Sequence, residues 1–203
     1  VYRCATGEFV VSHDWTTERM TGVYHEIWNT PWSVLSTLTS TAANTSDPSQ
    51  PRQPLLRLED ALALIGNRVV FIDHKPTADK TGNSTEQAGR DALLDRMDFF
   101  PDSEQHMVWK TFKGGYESAL MAKARGYKTW GAYYSEEIET APTRQEAFDI
   151  LGLEWNAVQA YWNTLNATGK KGIAHIITTV AQRNSAQNKG AFGFMTSNPK
   201  LMP

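Results

Sequence analysis

The sequence alternates short, apolar, β-rich runs with longer stretches of helical spacing, and this alternation limits the folds available to it. Residues 68–72 are nearly continuous in their apolar character, as strands covered on both faces by helices are. Residues 55–65 space their apolar side chains three to four positions apart, and Gly66 then ends the predicted helix. Strands that alternate with helices predict an α/β fold with a parallel sheet.

Several further segments repeat this alternation along the chain. The strand candidates are residues 9–12, 68–72, 106–112, 127–134, 173–180 and 193–196. Helices are predicted between them, mainly over residues 85–99, 116–125 and 145–165. Polar residues recur at the C-terminal ends of the strand candidates, where a (β/α) barrel keeps its functional side chains. We therefore predict a single α/β domain over residues 1–203, a (β/α)8 TIM barrel that is incomplete in this chain, with a surface loop insertion over residues 36–54.

Composition and charge exclude several classes of protein. The 203 residues are 40% hydrophobic and 21% charged, which is ordinary for a globular domain and argues against disorder. A net charge of −2 offers no basic surface for nucleic acid or anionic lipid. No apolar run approaches the roughly 18 residues that a membrane span needs. We therefore expect that the protein does not bind nucleic acid and that it has no membrane-spanning segment.

Cysteine usage limits the metal chemistry that the chain could support. Its single cysteine, Cys4, excludes an intrachain disulfide and any multi-cysteine zinc site. A bound metal would need oxygen or imidazole ligands, which favours Mg²⁺ or Ca²⁺ over zinc. Three Asn-x-Ser/Thr sequons, at Asn44, Asn83 and Asn166, are consistent with a secreted or extracellular protein.

Residues 10–22 carry a family resemblance. They read Val-Val-Ser-His-Asp-Trp-Thr-Thr-Glu-Arg-Met-Thr-Gly. This segment resembles the V-x-H-D-x-x-x-x-R-x-T-G signature of the glycerophosphodiester phosphodiesterases, and His13 stands at the position of a catalytic acid/base of that family. Residues 54–62 are similar to the family's P-x-L-x-E-x-L helix start, and residues 190–199 to its closing G-x-D-G-I-x-T-D-x-P strand. The resemblance therefore runs along most of the chain.

A second part of the resemblance concerns the end of the 68–72 strand. Residues 73–75, Asp-His-Lys, stand where the family has Glu-x-Lys. The resemblance implies that Asp73 is a metal ligand and that Lys75 binds phosphate, although aspartate is one methylene shorter than the family's glutamate. Because extended residues two apart point to the same side, the two side chains should face one another. Lys110, near the end of a predicted strand, is a further candidate for phosphate binding.

Other family features have no counterpart in this sequence. The family begins with a strand bearing His-Arg-Gly and a second strand ending in Glu-x-Asp, and neither is found at or after Val1. We expect an upstream segment of the same protein to complete the barrel, contributing the first two strands, a histidine and two metal carboxylates. Three histidines match no family position and are expected to be structural or surface residues: His25, His106 and His175.

The resemblance implies a metal-dependent hydrolase that cleaves a glycerophosphodiester to glycerol 3-phosphate and an alcohol. A divalent cation, Mg²⁺ or Ca²⁺, would neutralise phosphate oxygens, and two histidines would act as general base and acid. One alternative is a phospholipase D-like enzyme acting on lysophospholipid or sphingomyelin head groups. Another is a catalytically inactive barrel that serves as a binding or structural module, and the chain alone, without the upstream segment, could lack activity.

Overall fold

The computed structural model describes residues 1–41, 51–66, 68–75, 86–112, 115–143 and 145–196. They fall into two compact units, Val1–Pro101 and Asp102–Pro203. Part of the predicted insertion, residues 42–50, lies outside the described residues, as do Asn44, Asn83 and the closing residues 197–199. Within the described ranges, no helix combines the length and the apolar character required to cross a membrane.

The first unit contains short strands and helices of unequal length. Its strands are β1 Tyr2–Arg3, β2 Phe9–Val11, β3 Leu56–Arg57 and β4 Val70–Asp73. Its α-helices are α1 Glu18–Thr21, α2 Trp32–Leu35, α3 Leu58–Ile65 and α4 Glu86–Asp98, and a 3₁₀ turn covers Ile27–Asn29. Helix α3 ends at Gly66, as its sequence predicts, with the Gly66 amide donating to the Leu62 carbonyl at 3.2 Å.

The strand predicted at residues 9–12 is present as β2, but it is not part of a parallel sheet. It pairs antiparallel with β1, Tyr2 opposite Val10, and with β3, Val10 opposite Arg57. The connection from β1 to β2 is only a tight turn, in which Gly7 adopts a φ of 98°. Strands joined by so short a turn must run antiparallel, because a parallel pair needs a long crossover.

The antiparallel sheet covers a small apolar core. Phe9 and Val10 are both buried, at 4% and 0% exposure, whereas Val11 is 38% exposed. The core cluster consists of Tyr2, Cys4, Val10, Ile27, Leu35 and Leu55. Because β2 is held by this core, the residues that follow it, His13 and Asp14, leave the sheet at a fixed point.

The second unit repeats strand and helix in strict alternation after its first helix. Its strands are β5 Met107–Phe112, β6 Lys128–Ala132, β7 Ile150–Glu154, β8 Lys171–Ile177 and β9 Gly193–Thr196. Its α-helices are α5 Ser103–His106, α6 Tyr116–Ala124, α7 Gln159–Ala167 and α8 Val180–Asn188, and 3₁₀ segments cover Ser135–Thr143 and Gln145–Ala147.

The five strands of this unit form one parallel sheet in sequence order. Lys110 of β5 lies opposite Trp130 of β6, and Glu154 of β7 lies opposite His175 of β8. In a parallel sheet the carboxyl ends of all strands meet at one edge, which is the functional edge in (β/α) barrels. The α/β prediction is confirmed.

Strand β7 corrects the prediction of helix over residues 145–165. The segment contains a strand, Ile150–Glu154, and the helix begins only at Gln159, after Val158 in an extended conformation. Gly152 makes the strand possible, because a Cβ built there would lie 2.5 Å from Nε1 of Trp130. The strand therefore depends on close approach to a residue of β6, which helical periodicity in the sequence does not reveal.

Candidate active site

His13 and Asp14 form a hydrogen-bonded pair immediately after β2. Nδ1 of His13 lies 2.6 Å from Oδ1 of Asp14. The guanidinium of Arg19, in α1, donates to the other carboxylate oxygen, Oδ2. The His13 side chain is 81% exposed, whereas that of Asp14 is 24% exposed. The carboxylate is thus held from both sides, and the imidazole is accessible from solvent.

The charge state of Asp14 determines how the His13 ring is used. The hydrogen bond from Arg19, with that from His13, lowers the pKa of Asp14 to about 2. At neutral pH the carboxylate is ionised and can only accept, so Nδ1 of His13 carries the hydrogen of their bond. In the neutral ring this leaves Nε2 as the atom that can take up a proton.

Local backbone contacts fix the direction of this pair. The Ser12 hydroxyl donates to the Asp14 carbonyl at 2.8 Å, and the buried Tyr2 hydroxyl donates to the His13 carbonyl at 3.4 Å. Burial raises the pKa of Tyr2, and the charges of Asp14 and Asp73 raise it further. Tyr2 therefore lies within electrostatic reach of both carboxylates and links the two candidate segments of the first unit.

Asp73 and Lys75 stand at the end of β4 and contact each other. Nζ of Lys75 lies 3.1 Å from Oδ2 of Asp73, and the side chains are 22% and 24% exposed respectively. The start of the chain runs beside them: the Val1 nitrogen donates to the Asp73 carbonyl at 2.7 Å, and the Lys75 amide donates to the Val1 carbonyl at 3.1 Å. The expectation that the two side chains face one another is confirmed.

His74, between them, is held in a different environment. Burial lowers the pKa of His74 to about 4, and the positive charge of Arg90 lowers it as well. At neutral pH its imidazole is therefore uncharged. This residue suits a packing role better than a role in proton exchange with solvent.

The residues present do not by themselves fit a divalent cation. Across the part of the chain that the structure describes, no three side chains of His, Cys, Asp or Glu form a group that could hold a metal ion. The carboxylate of Asp73 is already paired with an ammonium group. Mg²⁺ and Ca²⁺ take six or more oxygen ligands. Asp73 would be one ligand among several.

Lys110 lies in the second unit, on β5. Lys110 is only 8% exposed. Its ammonium group lies 5.2 Å from the ring centroid of Phe112 and 5.4 Å from that of Trp130. Aromatic faces attract a cation at such distances, which offsets part of the cost of burying the charge. Lys110 thus sits among aromatic rings near the functional edge of the parallel sheet.

A histidine that sequence analysis assigned no function lies in the same unit. Nε2 of His175 donates to the Tyr133 carbonyl at 3.2 Å. Its ring stands edge-on to that of Tyr134, with centroids 6.4 Å apart. Burial lowers the pKa of His175, and the charge of Lys110 adds to this effect. A neutral, oriented imidazole therefore lies within electrostatic reach of Lys110.

The candidate residues predicted from the sequence lie in both units. His13, Asp73 and Lys75 all lie in the first unit, the last two in contact, and Lys110 lies in the second. Tyr2 was missed because no motif includes it. Arg19 was recognised as part of the family signature, but nothing in the signature indicated that its guanidinium would bind Asp14.

Solved structures of other proteins share this fold. A phosphodiesterase from Oleispira antarctica, solved with the product sn-glycerol-3-phosphate, aligns with 95% of this chain and 77% of its own at 16% identity and a TM-score of 0.78. A glycerophosphodiester phosphodiesterase from Agrobacterium tumefaciens aligns over 99% and 83% of the two chains at 16% identity, with a TM-score of 0.71. One from Parabacteroides distasonis aligns over 98% and 71% at 14% identity, with a TM-score of 0.68.

These likenesses establish the fold of the chain. It is the fold of the glycerophosphodiester phosphodiesterases, as the resemblance of residues 10–22 implied. No protein-family model matches the sequence, and no curated protein matches it. At 14–16% identity the fold is retained although most side chains differ.

Proposed function

We propose that this protein hydrolyses glycerophosphodiesters to glycerol 3-phosphate and an alcohol. The observation that carries the proposal is the His13–Asp14 pair, 2.6 Å between Nδ1 and Oδ1, within the family-like segment of residues 10–22 in a chain with the phosphodiesterase fold. The neighbour from Oleispira antarctica was solved with sn-glycerol-3-phosphate as its product. The proposal assigns this chain the same class of chemistry.

The reaction requires the movement of protons at both ends of the phosphorus centre. A water oxygen attacks phosphorus, the bond from phosphorus to the alcohol oxygen breaks, and the departing oxygen takes up a proton. His13 is suited to exchange such a proton at Nε2, since Nδ1 is bound to Asp14. The ionised Asp14 accepts from Nδ1 and thereby orients the ring for this exchange.

Arg19 and Tyr2 position this proton-transfer group. Arg19 holds the second oxygen of Asp14, so the carboxylate cannot rotate away from the imidazole without losing an ion pair. Tyr2 donates to the backbone carbonyl of His13 from a buried position. The Arg19 contact holds the carboxylate that orients the ring, and the Tyr2 contact lies on the backbone that carries it.

Positive charge for the phosphate is assigned to Lys75 and Lys110. A phosphodiester carries one negative charge, and ammonium groups bind its unesterified oxygens through charge-assisted hydrogen bonds. Lys75 is partly exposed and fixed by Asp73. Lys110 is buried among aromatic rings. A phosphate oxygen that reached its ammonium group would interact with it in a region of low dielectric, where the attraction is stronger.

We also propose that the reaction uses Mg²⁺ or Ca²⁺, with Asp73 as one ligand. By the resemblance, the family's other metal carboxylates and its second histidine stand in strands that have no counterpart within residues 1–203. Assays should therefore use the full-length natural protein. A separate experiment tests the dependence on the cation: a chelator removes Mg²⁺ and Ca²⁺, and each cation is then added back.

The experiment that tests the function identifies the products. The protein is incubated with soluble glycerophosphodiesters and, in parallel, with lysophospholipid and sphingomyelin micelles. Release of glycerol 3-phosphate from the soluble diesters supports the proposal. Hydrolysis confined to the lipid substrates would favour the phospholipase D-like alternative, and hydrolysis of neither would favour a barrel without catalytic activity.

A further inference from the structure

The first unit contains a cavity of about 490 Å³, a size that is common among small-molecule sites. The hairpin of β1 and β2 contributes Arg3 and Glu8 to its lining, and helix α4 with the turn after it contributes Arg96 and Phe99. Of the residues that the structure describes along this lining, none is a candidate residue named above. The cavity is therefore a separate feature of the unit.

The guanidinium of Arg3 lies over the turn of the hairpin. Gly7 adopts a φ of 98° in this turn, and a Cβ built on it would lie 3.6 Å from Nη2 of Arg3. The absence of a side chain at Gly7 thus leaves room for the guanidinium beside the backbone. Within the described ranges, the Arg3 side chain forms no hydrogen bond and no ion pair. Its N–H groups are available to a ligand in the cavity.

Glu8 brings a carboxylate to the same cavity. Its Oε2 accepts from the Cys4 thiol at 3.1 Å and from the Thr6 hydroxyl. The Thr6 hydrogen bond lowers the pKa of Glu8, so the side chain is ionised at neutral pH. The charge of Arg57 acts on Glu8 as well, but that guanidinium is bound to Asp60 by two hydrogen bonds. No hydrogen bond from a described residue reaches Oε1, which can accept from a ligand.

Other charged side chains of the lining already have partners. Arg96 binds Oε1 of Glu59 through both Nε and Nη2, and this pair is neutral as a whole. Asp95, next to Arg96, has interactions of its own, and we assign it no contact with a ligand. In the described part of the lining, the charges without an ionic partner are those of Arg3 and Glu8, which are opposite in sign.

An aromatic ring completes the chemistry of the cavity. Phe99 is 79% exposed, and its amide donates to the Arg96 carbonyl at 3.4 Å, which continues the last turn of α4. Phe9, paired with Arg3 across the hairpin, adds a buried apolar surface to the lining. An aromatic group of a ligand would cover the Phe99 ring and gain from offset or edge-to-face contact with it.

We propose that this cavity binds a small zwitterion of the α-amino acid type with an aromatic side chain. The ligand carboxylate binds Arg3, its ammonium group binds Glu8, and its ring packs against Phe99. A zwitterion satisfies both unpaired charges, whereas a simple anion or a simple cation satisfies one of them. The inference does not depend on the proposed hydrolysis, because it concerns a separate set of residues.

Binding is measured with no diester present. L-Phenylalanine is titrated into the full-length natural protein and followed by ligand-observed nuclear magnetic resonance. Two derivatives serve as controls: N-acetyl-phenylalanine lacks the ammonium charge, and phenylalanine amide lacks the carboxylate. We expect each derivative to bind about tenfold more weakly than phenylalanine, because each loses one charge-assisted hydrogen bond.

Matched variants assign each charge of the ligand to a residue. Arg3→Met should weaken the binding of phenylalanine about tenfold and should not weaken that of the amide, which has no carboxylate to lose. Glu8→Gln should weaken phenylalanine binding about tenfold and should not weaken that of the N-acetyl derivative. Phe99→Ala should weaken all three ligands by a similar factor, about fivefold. Arg68→Met removes an exposed arginine outside the lining and should leave binding unchanged.

Thermal unfolding of each variant establishes that it is folded, and Arg3→Met and Glu8→Gln test opposite ends of the ligand, so either remains informative if the other fails to fold. Loss of binding confined to the ligand that carries the matching charge would sustain the inference, whether or not the protein hydrolyses a diester. No binding of phenylalanine by the wild type, or equal binding of the three ligands, would overturn the inference. So would phenylalanine binding that neither substitution weakens.

Discussion

The ammonium of Lys75 lies 3.1 Å from Oδ2 of Asp73, and both side chains are more than three-quarters buried. The two residues thus form one ion pair at the end of β4. The Lys75 ammonium competes with any metal cation for the Asp73 carboxylate. A metal could therefore bind there only if Lys75 formed its hydrogen bond with a third group. A substrate phosphate is such a group, since it can accept from Lys75 while its other oxygens face the cation.

This arrangement predicts the behaviour of Asp73→Asn. The variant should need at least about tenfold more Mg²⁺ or Ca²⁺ for half-maximal activity, because it loses a ligand charge. The melting temperature of the cation-free protein should change little, since asparagine keeps the size of the side chain and its amide oxygen can still accept from Lys75. The measurement is activity in a cation titration after chelation, with Asp98→Asn as the control. A variant that unfolds without cation but keeps its cation requirement would identify Asp73 as a structural residue.

Substitution of the two lysines tests the proposed phosphate contacts. Lys75→Met and Lys110→Met should each lower kcat/KM for a soluble diester by roughly 10- to 100-fold, the value of one charge-assisted hydrogen bond. Lys128→Met is the matched control, because Lys128 is exposed and begins β6 at the opposite end of the strand from the functional edge. If Lys110→Met kept the full rate, Lys110 would have to be reassigned to packing between Phe112 and Trp130.

Asp14 predicts an acid-dependent contribution to stability. Its pKa is lowered to about 2 in the folded protein, whereas the ordinary value is 3.8. The unfolded chain therefore binds this proton more readily, and the stabilisation is complete above about pH 4 and lost as the pH falls through about 2. The difference in unfolding free energy between wild type and Asp14→Asn should shrink over that interval. Denaturant unfolding at several pH values measures this difference in unfolding free energy. A difference that stayed constant with pH would contradict the lowered pKa of Asp14.

His74 predicts sensitivity to acid at a higher pH. Its pKa is lowered from 6.5 to about 4, so the folded state resists protonation that the unfolded chain accepts. Its contribution to stability is complete above about pH 6.5 and declines towards pH 4, by a total on the order of 1 to 3 kcal/mol. His74→Gln should flatten the stability profile in this range. Denaturant unfolding of the wild type and of His74→Gln between about pH 4 and 7 measures the effect, and equal slopes for the two proteins would contradict the assignment.

The sequence was informative where local rules decide the structure. The apolar run before Asp73 is partly present as strand β4, and the two-residue spacing of Asp73 and Lys75 brings their side chains into contact. The end of α3 at Gly66 follows from the tolerance of glycine for a positive φ. These features depend on neighbours within a few positions, which periodicity and turn residues report directly.

Other features depend on residues that are distant in sequence. Strand β7 requires a glycine at position 152, because the Trp130 ring lies against the backbone there. No local sequence pattern indicates this contact. Trp15 and Trp28 stack through antiparallel backbone bonds that join their segments across an intervening helix and turn. Only one other aromatic residue, Tyr24, lies between them in sequence, so local spacing does not indicate their contact.

The most direct test of the account is hydrolysis by the full-length protein with and without the His13 imidazole. Release of glycerol 3-phosphate from a soluble glycerophosphodiester is measured for the wild type and for His13→Ala, with His106→Ala as the histidine control. We predict release by the wild type and the control, and a rate at least about 100-fold lower in His13→Ala, the range typical of a lost general acid or base. An unchanged rate in a folded His13→Ala protein would contradict the role of His13, and no release by the wild type would contradict the proposed function itself.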